Sequence, residues 1–235
     1  FLMISNTRNL LKYKHPMDFF NNRAIASCTV LVAFSSYFTV RVFSKAKKSN
    51  LTFNEIVNAK EQNKPKKSIL YTRTGDKGTS ALYNGQRRSK ADQTFHALGT
   101  TDELNSTIGI AREHCIIARN GLDQLLAEIQ SRLFDLGAAI ATPRDSSSEE
   151  KMNRTKFPPE STIELECALD ELDSKLPKLT NFILPSGGLA AAHLQLARSV
   201  CRRAERSVIP LLETGEIDSE VGKYLNRLSD FLFCA

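Results

Sequence analysis

Several familiar signatures of metal and nucleotide sites are missing from this 235-residue sequence. Its five cysteines, Cys28, Cys115, Cys167, Cys201 and Cys234, form no CxxC pair and stand at no close spacing to histidine. That argues against a zinc site or a disulfide framework and predicts reduced core thiols instead. Neither G-x-x-x-x-G-K-[ST] nor G-x-G-x-x-G occurs, so a P-loop and a dinucleotide fold are not indicated. No internal repeat is present, and no strand-like alternation follows the first glycine-rich loop. Acidic residues are scarce at the start. Through Asn54, Asp18 stands alone against Arg8, Lys12, Lys14, Arg23, Arg41, Lys45, Lys47 and Lys48. Eight cations less one acid give +7 there, against +6 for the whole chain, so the remainder is close to neutral. The basic balance therefore belongs to the leader and predicts no nucleic-acid partner.

The charge-free stretch from Ala24 to Val40 holds Ser27, Thr29, Ser35, Ser36 and Thr39 and is short for a membrane span. No stable membrane insertion is expected. Acid-poor and hydroxyl-rich, residues 1–54 resemble a largely disordered mitochondrial transit segment, which places the mature protein in the matrix. A secretory signal or membrane anchor, and an untranslated stretch ahead of Met17, are the alternatives. Residues 55–68 are polar and carry Pro65, as a linker does. Residues 69–235 form the expected folded domain. Its last helical pattern, "YLNRLSDFLFCA", is still running at the end, which predicts a truncated C-terminal helix.

Helical signals dominate that domain. Thr100 and Thr101 are candidate N-caps, with Asp102 and Glu103 suited to a first turn. Leu122, Leu126, Ile129, Leu133 and Leu136 recur at helical spacing up to Pro143, and Ile163, Leu165, Leu169 and Leu172 do so up to Pro177. A Ser- and charge-rich loop is expected between these two. A long helix follows "NFILPSGG", and another carries Val221, Leu225, Leu228 and Leu232. The expected fold class is all-α: a five-helix bundle preceded by an extended phosphate-binding loop.

Four stretches could carry chemistry. "YTRTGDKGTS" and the cations after it combine Gly75 and Gly78 with Thr72, Thr74, Thr79 and Ser80, and with Arg73, Lys77, Arg87, Arg88 and Lys90. Close-approaching backbone, hydroxyls and positive charge suit a phosphate, although the same composition also makes surface turns. Arg198, Arg202 and Arg206 fall on one helical face, which needs acids, water or a bound anion opposite it. Asn226 and Asp230 share a face of the last helix, a pattern that serves inter-helix hydrogen bonds as well as ligands. Phe182, just before Pro-Ser-Gly-Gly, reads most simply as a core aromatic.

Taken in order, "YTRTGDKGTSALYNG", "RRSKADQTFHALGTTDELNS", "FILPSGG", "RSVCRRAERSV" and "KYLNRLSDFLF" resemble the PduO-type ATP:cob(I)alamin adenosyltransferases, in the form that eukaryotes carry in mitochondria. The resemblance runs from about Ile69 to the last residue and is weakest around Ser146 to Thr155. It implies a five-helix bundle, a homotrimer with sites between subunits, and transfer of the 5′-deoxyadenosyl group of ATP to the cobalt of cob(I)alamin with release of triphosphate. Magnesium (Mg2+) accompanies the nucleotide, and a cobalamin-dependent mutase receives the product. Thr72, Arg73, Thr74, Gly75, Ser80, Ala81 and Lys90 fall on the triphosphate-binding segment, with Ala81 where the family often carries a second hydroxyl. Arg202, Arg203, Ala204, Glu205, Arg206 and Asn226 match the other nucleotide contacts. Asp102 and Arg202 match a salt bridge across the subunit boundary. Phe182 matches the aromatic that excludes a lower axial ligand from cobalt, and Arg198 lies at the cobalamin-side position. Cobalt ligation by a protein histidine is not expected, because the D-x-H-x-x-G pattern is absent and His15, His96, His114 and His193 are not placed to replace it. A non-catalytic cobalamin carrier of the same fold, or an inactive fragment, is the alternative reading.

Overall fold

The computed structural model describes residues 71–235. The leader, the linker and Cys28 lie outside the described residues. Tyr71–Asp76 belong to one compact unit and Lys77–Ala235 to a second, and each is described by itself.

The second unit opens with a small antiparallel hairpin, β1 (Thr79–Ala81) and β2 (Arg87–Ser89), in which Ser80 faces Arg88. Six helices follow: α1 (Gln93–Ala118), α2 (Asp123–Ile140), α3 (Glu149–Thr155), α4 (Glu160–Asp173), α5 (Leu189–Glu213) and α6 (Ser219–Cys234). Five are long and correspond to the expected bundle; α3 has only 7 residues.

The core follows from spacing. Ala97, Thr101, Leu104, Ile108, Ala111 and Cys115 are buried at alternating intervals of four and three along α1. Leu194, Ala197, Cys201, Ala204, Val208 and Leu211 do the same along α5. Such a stripe keeps one helical face against a partner over several turns. α1 packs on α5 and α2, and α6 packs on α5, α4 and α2. Alanines at the α1–α5 seam allow the two backbones to approach closely. Where α1 meets α2, the Asn105 and Gln130 side-chain amides each donate to the other's backbone carbonyl, at 3.2 and 3.1 Å.

Three expectations need correction. α1 does not begin at Thr100 or Thr101. Asp92 caps it, its carboxylate accepting from the Thr94 amide at 2.9 Å, and the helix runs through Gly99. Thr100 and Thr101 instead donate their hydroxyls to the carbonyls of His96 and Ala97, and Asp102 and Glu103 lie in mid-helix. Secondly, the Ser- and Glu-rich stretch after Pro143 is not a plain loop. Ser148 caps α3, and Phe157 behind it packs edge-on against Tyr224 of α6 with ring centroids 5.0 Å apart. Burying that aromatic draws the segment onto the bundle. Thirdly, the cysteines are not all core residues. Cys115 and Cys201 are buried, Cys234 is partly so, and Cys167 is exposed.

Candidate functional site

The Thr-Arg-Thr-Gly segment forms a tight local turn. Arg73 has φ 60°, a left-handed conformation that non-glycine residues rarely adopt. Its carbonyl accepts from the Asp76 amide at 3.4 Å, and its guanidinium lies 5.7 Å from the centre of the Tyr71 ring. The Thr72 and Thr74 hydroxyls are 2.8 Å apart. Strained turns of this kind concentrate at ligand-binding segments, where backbone conformation matters more than local energy.

The hairpin that follows was expected only as part of an extended loop. Its tip is fastened to the bundle by buried Leu82 and by the Tyr83 amide, which donates to the Ala141 carbonyl at 3.0 Å. Arg88 does not serve as a free cation of the loop. Its guanidinium lies 2.9 Å from Glu216 and 3.6 Å from Asp92, and it donates to the Thr94 hydroxyl at 3.0 Å. This residue locks β2 to the start of α1 and to the α5–α6 connection. Arg87 bonds back across the hairpin to Thr79 at 2.7 Å. Lys90 is exposed, and its backbone amide is tied to the Gly78 carbonyl at 2.8 Å. Ser80 is half-buried in β1, and Ala81 beside it is exposed.

On α5, the inward stripe dictates where the arginines go. With Ala197, Cys201, Ala204 and Val208 in the core, Arg202, Arg203 and Arg206 are exposed. Ala204 is completely buried, so its side chain belongs to packing, not to a ligand surface. Arg198 lies over the Phe233 ring at 5.3 Å, a cation–π contact between α5 and α6. Arg203 pairs with Glu103 of α1 at 2.5 Å. Asp102 and Arg202, one residue earlier on each helix, make no ion pair with each other or with another described residue of the chain. Burial pushes the Cys201 thiol well above its ordinary range; Glu205 adds to this and Arg202 opposes it. That thiol stays protonated and donates to the Leu225 carbonyl at 3.2 Å.

Asn226 joins α6 to this face. Its Nδ2 donates to Glu205 Oε1 at 2.8 Å, while its Oδ1 accepts from Arg227 Nη1 at 2.6 Å. Arg227 Nε in turn donates to Glu166 Oε1 on α4 at 2.7 Å. Asp230, one turn after Asn226, is exposed. The inter-helix role foreseen for Asn226 is therefore real, and it lies beside the arginine face.

Phe182 departs from the simple core reading. It has 106% relative exposure, in an irregular segment between α4 and α5 where Leu179, Ile183 and Leu184 are also exposed, as is Leu189 at the start of α5. Gly187 and Gly188, with φ 101° and 93°, turn the chain into α5, and a β-carbon on Gly187 would stand 3.1 Å from that of Ala191. A run of bare apolar side chains around a fully exposed phenylalanine is the kind of surface that interaction sites use.

Sequence reasoning missed Glu216, Glu103, Arg227 and Glu166 as partners. Apart from neighbouring Asn226 and Arg227, each pair joins residues far apart in the chain, so no local spacing could reveal them. Among the described residues no group of three His, Cys, Asp or Glu could hold a metal ion, and no helix is long and apolar enough to cross a membrane.

The cobalamin adenosyltransferase family profile matches residues 70–235. The chain is 52% identical over 171 residues to the corrinoid adenosyltransferase MMAB of Bos taurus, covering 72% of this chain and 70% of that protein. It is 41% identical over 169 residues to the corrinoid adenosyltransferase of Bacillus subtilis, covering 71% and 83%. In structure it is similar to a variant PduO-type ATP:corrinoid adenosyltransferase from Lactobacillus reuteri complexed with cobalamin and ATP, with a TM-score of 0.65 and 36% identity over 70% of this chain and 90% of that one. The match in sequence over the whole bundle, together with the match in fold, establishes that this chain belongs to the cobalamin adenosyltransferase family.

Proposed function

We propose that the chain transfers the 5′-deoxyadenosyl group of ATP to the cobalt of cob(I)alamin and releases triphosphate. The observation that carries this reading is the α5 face, where exposed Arg202 and Arg206 have no ion-pair partner among the described residues and adjoin the Glu205–Asn226 hydrogen bond. Two unpaired guanidiniums on neighbouring turns can receive an anion through charge-assisted hydrogen bonds. In the reaction cobalt(I) supplies the electron pair for the new cobalt–carbon bond. The bond from C5′ to the triphosphate oxygen breaks, and its electrons leave with the triphosphate. Cobalt(I) is already a strong nucleophile, so no side chain has to act as base or form a covalent intermediate. The protein's tasks are alignment of C5′ with cobalt and neutralisation of the leaving group.

Thr72, Arg73, Thr74, Gly75, Ser80 and Lys90, with the Ala81 backbone, would bind the triphosphate. Arg202, Arg203, Glu205, Arg206 and Asn226 would hold the rest of the nucleotide, and Arg198 would face the cobalamin. Magnesium would accompany the phosphates, since it binds through substrate phosphate oxygens and water more than through protein side chains. A homotrimer with sites between subunits is supported by Asp102 and Arg202, which lack ion-pair partners among the described residues, and by the bare apolar surface around Phe182. Localisation in the mitochondrial matrix, with delivery of product to a cobalamin-dependent mutase, is supported by the acid-poor leader and by likeness to eukaryotic relatives.

Arg202→Ala tests the reading. It should lower the transfer rate about 100- to 1000-fold, the scale for removing one aligned donor to developing charge. Circular dichroism should stay that of the wild-type bundle, because Arg202 is outside the core. Normal turnover in this variant would contradict the assignment.

A further inference from the structure

Arg227 and Glu166 have no part in the chemistry described above, yet their hydrogen bonds end on a proposed nucleotide contact. From α4 to α5 the order is Glu166, Arg227, Asn226, Glu205, through contacts of 2.7, 2.6 and 2.8 Å. An asparagine amide can turn over, exchanging its donor and acceptor ends. Here the choice is forced from one side. A guanidinium only donates, so Arg227 holds Oδ1 towards itself and Nδ2 towards the Glu205 carboxylate. Arg227 is fixed because its planar fork gives Nε to Glu166 and Nη1 to Asn226 together. Without Glu166, the half-exposed arginine would be free to follow other rotamers, and the amide with it.

We propose that Arg227 and Glu166 are positioning residues for the nucleotide, setting the amide orientation of Asn226 and thereby the Glu205 carboxylate. This inference rests on the reading of Glu205 and Asn226 as nucleotide contacts. With Oε1 of Glu205 taken by Asn226, Oε2 and the second Nδ2 proton are presented to the ligand in a fixed arrangement. A surface ion pair with only a stabilising role would affect melting and leave ATP affinity alone. A positioning pair does the reverse.

The test uses the full chain, with KM for ATP, KM for cobalamin and kcat measured for Glu166→Ala, Glu166→Gln and Arg227→Lys, and ATP binding measured directly by calorimetry. Glu166→Ala should raise KM for ATP about five- to tenfold, within the range for coupled neighbours. Its kcat, KM for cobalamin and melting temperature should stay close to wild type. Glu166→Gln keeps an acceptor for Nε and should recover affinity to within about twofold, whereas Arg227→Lys loses the fork and should resemble Glu166→Ala. Adding Glu166→Ala to Asn226→Ala should weaken ATP binding no further, because the relay acts through that amide. Wild-type affinity in Glu166→Ala, or a fully additive loss in the double variant, would overturn the proposal. If the wild-type chain bound no ATP, the nucleotide reading itself would fail and the relay with it.

Discussion

Phe182 illustrates what a single residue reveals and what it hides. An aromatic between apolar neighbours suggests a core position, but the structure leaves it fully exposed between α4 and α5. Its proposed task explains that exposure: an apolar wall that keeps axial ligands off cobalt must stand at the surface of one subunit. Losing axial ligands lowers the energy of the orbital that receives an electron, so the wall matters for making cobalt(I), not for using it. Phe182→Ala should therefore slow formation of adenosylcobalamin about 100-fold or more from cobalt(II) with a reductant. From pre-made cobalt(I) the slowing should be much smaller, as absorbance-monitored single turnovers would record. Equal slowing from both starting points would contradict the axial-ligand role. Arg88 teaches the opposite lesson. Composition places it among phosphate-binding cations, yet its charge is spent on Glu216, 128 residues away. Residue type and local spacing point to chemistry, but they do not reveal which charges the fold has already paired.

At the scale of elements, the long helices were legible because a repeated apolar stripe leaves the chain few other ways to bury it. Their ends were less so. The two threonines after Gly99 resemble N-caps, but glycine in mid-helix costs only about 1 kcal/mol, and burial of Ala97, Leu98 and Leu104 outweighs it. The true cap, Asp92, also holds the β1–β2 hairpin through Arg88. Burial alone would raise the pKa of Asp92. The Thr94 amide and hydroxyl and the Arg88 guanidinium outweigh that and keep it below its ordinary 3.8. Because the folded-state value is depressed, its stabilisation is complete above 3.8 and is lost as pH falls through the lower folded value. Asp92→Ala should cost about 1 kcal/mol at neutral pH, the usual size for a lost cap. Thermal melts between pH 7 and pH 3 should show the difference from wild type narrowing towards acid. A constant difference would mean that the carboxylate charge is not what stabilises this end of α1.

For the molecule as a whole, the bundle and its family were visible from sequence, whereas a site shared between subunits was an expectation from the family resemblance alone and had no signal in the spacing of residues. Asp102 and Arg202 are exposed and have no ion-pair partner among the described residues, and the apolar residues about Phe182 are bare. Both features make sense if the proposed site is completed by a second copy of the chain, a relation that no spacing within one sequence encodes. The Glu205–Asn226–Arg227–Glu166 relay was hidden for a related reason, since its ends lie on helices brought together only by folding. The most direct measurement of the central claim mixes the full chain with ATP, magnesium and chemically reduced cobalamin. Absorbance reports adenosylcobalamin, and triphosphate is assayed in the same tube. The account predicts that the two products appear in equal amounts. A folded chain that binds ATP yet yields neither would contradict it.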